Sequence, residues 1–439
     1  MLFFDRQDEI KALQTIREQA KTEAQWTVLT GRRRIGKTEL LLNCFSDTPF
    51  LYLFVTRASE TDLCEGYQRQ VESFLGRTIP GRIQHFSELF RYLLDLSRKE
   101  SFTVVIDEFQ DFLRVNPVIF SEMQREWDLL HRGSKLNLIV CGSIYSIMNK
   151  IFLEAKEPLY GRQTEHMTIR PFTLSVLRQI LGHYHPKYTR DDLLALWTFT
   201  GGVAKYVSLL MDKKAYTFDK MLDVILCDDS FFLFEGWAVL QNEFGKDYGT
   251  YFSILAAIAS GNTSHAQIVN KVGGELGGYI TRLERQYHLI APRQPFAERN
   301  STKNVLYKLE DNFYRFWFRF IYKYQYLIQL RMFDELKNVV RRDYDCFSGI
   351  TLEGYFREMF IENHRYTKIE GWWDRKGENE IDLVCENEFT KTLDIYEVKL
   401  EAKRLDLGKL PVKCEAFLKK HPEYRQHSIS FKGLSKENM

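Results

Sequence analysis

Residues 26–40 read WTVLTGRRRIGKTEL, a short apolar, β-branched run that passes straight into the pattern GxxxxGK[ST] and then into leucines at helical spacing. Glycine at 31 and 36 lets the backbone curl so that successive N–H groups converge on phosphate oxygens. Lys37 then reaches the outer phosphates, Thr38 offers its hydroxyl to Mg²⁺, and the helix that opens here turns its positive end toward the anion. Gly31, Arg32, Arg33, Arg34, Ile35, Gly36, Lys37, Thr38 and Glu39 are therefore the candidate nucleotide-contacting residues. A nucleoside triphosphate, ATP or GTP, is the ligand this stretch predicts.

A second strand carries the matching acids. Residues 102–109, FTVVIDEF, form an apolar run that ends in two carboxylates. Asp107 is placed to hold the water shell of the Mg²⁺ that Thr38 touches, and Glu108 to orient or deprotonate an attacking water. An apolar strand ending in Asp-Glu is common by itself, and its pairing with Lys37 gives it meaning. Strand-like runs at 49–56 and 136–142, separated by helical stretches, predict a parallel sheet covered on both faces. Ser143 follows the last of these runs, where a hydroxyl would feel a γ-phosphate; a plain turn serine is the alternative. Arg162 and Arg170 lie beyond it, and arginines there can stabilise a transferring phosphate or simply face solvent.

The chain has 439 residues, enough for two to three domains, and its net charge of +2 gives no global field toward nucleic acid. Residues 399–439 hold ten Lys and Arg against five Asp and Glu, a local excess of five. Seven cysteines without a CxxC pair fit neither a disulfide framework nor a zinc ribbon, so a reducing cytoplasm is expected. No apolar run has membrane-spanning length, and no membrane partner is expected.

FFDRQDEI at 3–10, GRRRIGKT, VVIDEFQDF, CGS with PLYGR and RPF, and TGGVAKYV together resemble a prokaryotic, archaeal-type P-loop ATPase family related to the AAA+ and STAND NTPases. Many of its members end in a PD-(D/E)XK restriction-endonuclease-like domain. The resemblance implies a five-stranded α/β sheet with an extra strand between the loop strand and the Asp107 strand. It also implies that the opening segment, with Arg6, contacts the base, Asp5 standing where the family has glycine. A helical lid is implied at about 171–230; the family's proline after GG-hydrophobic is here Ala204. ATP and Mg²⁺ are the implied cofactors, and an ATP-dependent homo-oligomer with DNA as partner is the implied assembly. The expected division is an ATPase domain with lid at 1–230, a winged-helix-like domain at 246–330 and a nuclease-like domain at 345–439.

The pattern loosens over 231–249, with glycines at 236, 245 and 249, which places a boundary there. Residues 251–309 then read as three helices and a two-strand wing, a winged helix with Arg282, Arg285 and Arg293 on or beside its third helix. DNA binding and a protein-binding spacer are both open to such a module. FYRFWFRFIYKYQYL, from 313, has helical spacing and reads as a buried interdomain helix rather than a base-stacking surface. In the last hundred residues a helix with Glu353, a strand, a strand with Asp382, a strand with Glu397 and Lys399, and a final helix follow the order of a PD-(D/E)XK core. Residues two apart on a strand share a face, so Glu397 and Lys399 enter one cleft. Glu353, Asp382 and Glu397 are the candidate Mg²⁺ ligands there and Lys399 the candidate catalytic cation; a surface salt-bridge ladder is the bland alternative. The readings left open are an ATP-driven enzyme on DNA and a nucleotide-controlled switch whose C-terminal fold only binds.

Overall fold

The computed structural model describes residues 1–244, 247–298, 305–375 and 377–439. It divides into two compact units, Phe3–Pro171 and Phe172–Met439, the latter joined by Met1–Leu2.

In the first unit five strands form one sheet: β1 Gln25–Thr30, β2 Leu51–Phe54, β3 Phe102–Asp107, β4 Leu136–Gly142 and β5 Glu165–Thr168, in the order β2-β3-β4-β1-β5. Every neighbouring pair is parallel. The extra strand implied between the phosphate-loop strand and the Asp107 strand is β4. Strands β1, β3 and β4 are almost wholly buried, as apolar runs without alternation must be when helices cover both faces. Trp26 anchors the core edge-on to Trp127 at 4.9 Å and to Phe90 at 6.0 Å. Removing so large a fully buried ring would cost about 3–5 kcal/mol. Because all five strands run one way, their C-terminal ends, and the loops that follow them, collect at one edge.

The second unit begins with four helices, Leu174–Tyr184, Arg190–Thr200, Ala204–Asp212 and Phe218–Ile225, over the stretch expected as a lid. The Arg190 helix starts with a capping box in which Thr189 and Asp192 satisfy each other's backbone N–H groups. Residues 231–244, expected to loosen, instead form the helix Phe231–Phe244; Gly245 lies outside the described residues. Helices Tyr248–Ala259, His265–Val272 and Gly277–Arg285 follow, then strands β6 Ile290–Arg293 and β7 Leu306–Leu309, paired antiparallel. The expected wing tip, 299–304, is outside the described residues.

The aromatic stretch is not one α-helix. Asn312–Phe316 is α-helical, Trp317–Tyr322 opens into a π-helical turn, and Gln325–Gln329 resumes the α form. Phe313, Phe316, Trp317, Phe318 and Phe320 are buried, and the Trp317 indole N–H donates to the Phe232 carbonyl at 3.1 Å. The widened turn falls where buried rings line the segment. The 30-residue helix Phe333–Glu362 then leads to a four-stranded sheet of β8 Lys368–Trp373, β9 Glu380–Asn387, β10 Thr392–Val398 and β11 Ser428–Leu434, ordered β11-β10-β9-β8. β8, β9 and β10 pair antiparallel, and β11, which the sequence did not suggest, pairs parallel to β10. Helix Leu410–Lys420 covers one face through Leu410, Cys414 and Phe417. All seven cysteines are free thiols.

Candidate functional site

β1 ends at Thr30 and the loop turns at Gly31, whose φ of 151° suits glycine. A Cβ at this position would also lie 2.8 Å from the carbonyl oxygen of Ile169, just past β5. The loop closes at Gly36, φ 98°, and the helix Lys37–Cys44 starts at once. The buried Lys37 ammonium donates to the carbonyls of Gly31, at 2.7 Å, and Arg32, at 3.3 Å, so the loop is wound around its own lysine. Burial pushes the Lys37 amine down, against the attraction of the nearby Glu108 and Asp107 carboxylates. Ile35 is buried beneath the loop, while Arg33, Thr38 and Glu39 face outward.

Asp107, at the end of β3, stands across from this helix. One of its oxygens, Oδ2, accepts from the Thr38 hydroxyl at 3.2 Å and from the Tyr52 hydroxyl at 2.5 Å, and Oδ1 accepts the Glu108 N–H at 2.8 Å. A hydroxyl and a carboxylate facing each other at this distance are the oxygen pair a Mg²⁺ ion needs, so Thr38 and Asp107 fit the implied metal. Glu108 leaves the strand in the left-handed region, φ 53°. That turn points its carboxylate to Ser143, whose hydroxyl lies 3.0 and 2.7 Å from the two oxygens, and to the Gln110 amide at 2.5 Å. Gln110 is buried against Gly142, where a Cβ would come within 2.6 Å of its Oε1.

Arg6 sits before the helix Gln7–Ala20 with φ 78° and is buried; it donates to Glu9 at 3.1 Å and to the Arg170 carbonyl at 2.6 Å. This ties the opening segment to the residues next to Gly31. Arg162 does not join the cluster. It precedes β5, and because β5 runs parallel to β1 it emerges at the opposite edge of the sheet, one strand length, roughly 15 Å, from the phosphate loop. There it pairs with Asp128 at 3.1 Å. The expectation that Arg162 lies just beyond the Ser143 turn fails because the chain crosses back under the sheet between them.

The C-terminal constellation is partly assembled. Asp382 Oδ2 accepts the Val398 N–H at 2.7 Å and the Lys399 ammonium at 3.3 Å, and Lys399 lies 3.8 Å from Glu397. Glu397 is buried, and its second oxygen accepts the Asp406 N–H at 2.6 Å. Glu353, on the long helix, shares a cavity with Asp382; burial first, then the charge of Asp382, raises its carboxyl to about 8. The three carboxylates expected as ligands do not stand as a metal site: among the described residues no group of three or more His, Cys, Asp or Glu is placed to hold an ion. One oxygen of each of Asp382 and Glu397 instead accepts a backbone N–H, and Lys399 lies against both carboxylates.

Comparison with known proteins gives this geometry its relatives. A family described as an ATPase domain predominantly from Archaea matches residues 3–210, and a family of archaeal and bacterial proteins of unknown function matches 317–409. An uncharacterized protein of Methanocaldococcus jannaschii is 31% identical over 409 residues, covering 91% of this chain and 87% of its own. The chain belongs to this archaeal ATPase family. Among solved structures the family fold is similar to the Walker-type ATPase PABY2304 of Pyrococcus abyssi, at TM-score 0.54 and 19% identity over 72% of this chain and 96% of that one. It is also similar to the ORC2 protein of Aeropyrum pernix, solved in ADPNP–ADP complexes, at TM-score 0.51 and 14% identity over 74% and 94%. No helix among the described residues of this ATPase is long and apolar enough to cross a membrane.

Two residues that this ATPase brings to the phosphate edge were given no role by the sequence patterns. Tyr52 is one aromatic among several in β2 and is exposed as an Asp107 partner only by the β2–β3 register, which sets Phe54 opposite Asp107. Gln110 follows Glu108 by two residues, a spacing that a turn after the strand folds back onto the same carboxylate.

Proposed function

We propose that the chain binds ATP together with Mg²⁺ and hydrolyses it, and that its C-terminal part is a PD-(D/E)XK-like fold acting on DNA. The contact of Thr38 with Asp107 beside the buried Lys37 carries the first half. Lys37 would exchange its two loop carbonyls for outer phosphate oxygens, and the N–H groups of the curled loop would meet the rest. Thr38 and Asp107 would hold the Mg²⁺, which draws off phosphate charge. Glu108, aimed by Ser143 and Gln110, would take the proton of the attacking water. Arg6 and the segment around it would line the base. Arg162, at the far edge of the sheet and paired with Asp128, would serve a nucleotide held by a neighbouring copy if the chain forms an ATP-dependent homo-oligomer.

In the C-terminal half the helices 248–285 and the β6–β7 hairpin support a winged-helix reading, with Arg282 and Arg285 toward phosphates. With one oxygen of each of Asp382 and Glu397 on a backbone N–H and, among the described residues, no group of three such side chains placed to hold an ion, a domain that binds DNA is favoured over one already set for cleavage. The deciding experiment incubates plasmid, linear and single-stranded DNA with Mg²⁺ or Mn²⁺, with and without ATP, beside an Asp382→Ala chain. ATP turnover with cutting that Asp382→Ala abolishes establishes a nuclease; turnover with every substrate whole leaves a nucleotide-controlled DNA binder. No turnover at all overturns the ATPase reading.

A further inference from the structure

The Phe172–Met439 unit encloses a cavity of about 460 Å³ between the β6–β7 hairpin, the aromatic helix, the helix Phe333–Glu362 and strands β8 and β9. Most charges on its wall are paired. Arg319 meets Asp343 at 3.2 Å, Lys308 meets Glu310 at 3.2 Å, Arg357 faces Glu370 at 3.9 Å, and Asp382 holds Lys399 at 3.3 Å. Two guanidiniums, Arg293 and Arg315, make no ion pair within 4 Å among the described residues, although the charge of Glu353 acts on both. Arg315 donates only to the neutral oxygens of Thr351, at 2.8 Å, and Phe347, and burial lowers it to about 10. Arg293 lies over the Trp373 ring, its Cζ 5.5 Å from the ring centre. The lining carboxyls that remain, Glu353 and Glu358, form no ion pair within 4 Å with either arginine.

The wall is shaped around Arg293. A Cβ on Gly371 would lie 3.2 Å from Arg293 Nη2 and 3.2 Å from the Asp382 carbonyl, and the β8–β9 register slips between Glu370 and Trp372, at this glycine. The bulge and the missing side chain leave a slot in which the guanidinium reaches the cavity beside Asp382. A planar cation with no ion pair of its own is a partner for an anion, and a guanidinium fork matches phosphate best.

We infer that this cavity is a phosphate site, with Arg293 and Arg315 as its binding residues, and that it takes one nucleotide of an unpaired nucleic-acid strand. The inference rests on the nucleic-acid reading of the C-terminal half. Size selects the unpaired strand: this volume is that of a pocket for a small ligand, far too narrow for a duplex. The hairpin thus completes, with an arginine, a site whose acids come from the sheet and the long helix.

The test uses the full chain carrying Lys37→Ala, so that the nucleotide loop takes no phosphate, in EDTA so that no divalent cation contributes. The probe is the 5′-phosphorylated thymidine dinucleotide, titrated by calorimetry, with a blunt duplex as competitor. The dinucleotide binds; Arg293→Gln weakens it at least about tenfold without lowering the melting temperature, and Arg293→Lys, which keeps the charge but not the fork, recovers only part of the affinity. No binding by the parental chain, equal binding by Arg293→Gln, or displacement by duplex as effective as by single strand overturns the inference. Binding that persists while Mg²⁺ produces no cutting leaves this site standing and removes only nuclease activity.

Discussion

Ser143, at the end of β4, points its hydroxyl at both carboxylate oxygens of Glu108, at 3.0 and 2.7 Å. One hydroxyl has one proton, so this is a shared bond that fixes the plane of the carboxylate rather than two full bonds. With the Gln110 amide donating to the same group, the Glu108 carboxylate is fixed in position as an acceptor. Glu108→Gln is expected to leave ATP affinity within a few-fold of the parent and to lower kcat by about 10²–10⁴, the usual contribution of a positioned base. Single-turnover hydrolysis and equilibrium binding separate the two; parental turnover in the variant removes the base assignment.

Lys37 gives a prediction in pH. Burial lowers its amine, so it loses its proton at a lower pH than an ordinary lysine, near 10.4. Only the ammonium attracts phosphate, so ATP affinity should decline on the alkaline side well before that value, and bound phosphate should delay the decline. Lys37→Ala removes the charge and is expected to raise the Kd at least about 100-fold, two charge-assisted hydrogen bonds being worth roughly 3 kcal/mol. Calorimetry from pH 7 to pH 10 reads both effects, and an affinity indifferent to pH and to the substitution would remove Lys37 from the phosphates.

Tyr52 shares the Asp107 oxygen that Thr38 also uses. A phenol donating to a carboxylate fixes which lone pair is left for a metal-bound water. Tyr52→Phe keeps the ring in place and loses only that bond, so folding should survive. Turnover at saturating ATP is expected to fall about tenfold, with the Mg²⁺ concentration for half-maximal rate rising, because a charged hydrogen bond is worth about 1.5–3 kcal/mol. Unchanged Mg²⁺ dependence would make Tyr52 a packing residue.

How far the sequence spoke depended on whether the chemistry was local in the chain. Lys37 and Thr38 are fixed by eight consecutive residues, and Asp107 by the strand that it ends, so all three were legible. Tyr52 and Gln110 were not, because their role exists only through strand register and a turn after β3. Arg162 was misplaced by reading nearness in sequence as nearness in space, when the direction of β5 puts it at the other edge. The Glu353, Asp382, Glu397 and Lys399 set was found by the order of elements, yet sequence could not show that a backbone N–H already occupies one oxygen of each of Asp382 and Glu397. The helix Phe231–Phe244 was missed because its interior glycine weakened a pattern that packing against Trp317 sustains.

Asp394, on β10, supplies a stability test independent of any ligand. Burial by itself would raise its carboxyl, but the Lys432 ammonium at 2.6 Å, the Ser430 hydroxyl at 2.6 Å and the Tyr366 hydroxyl at 2.5 Å outweigh it and hold the group down at about 2. In the unfolded chain the same carboxyl titrates near 3.9. A folded-state value below the unfolded one means that the group contributes stability that is complete above about pH 4 and is lost as the pH falls toward about 2. Lys432 and Ser430 lie on β11, so the loss should appear in the β10–β11 pair. Hydrogen exchange of the amides of these two strands is expected to accelerate, relative to intrinsic rates, between pH 5 and pH 3, and to do so less in Asp394→Asn, which has no charge to lose. If the gap between parent and variant stays constant across that range, the ion-paired state of Asp394 is wrong, because a cluster held together by neutral hydrogen bonds would shift both proteins equally.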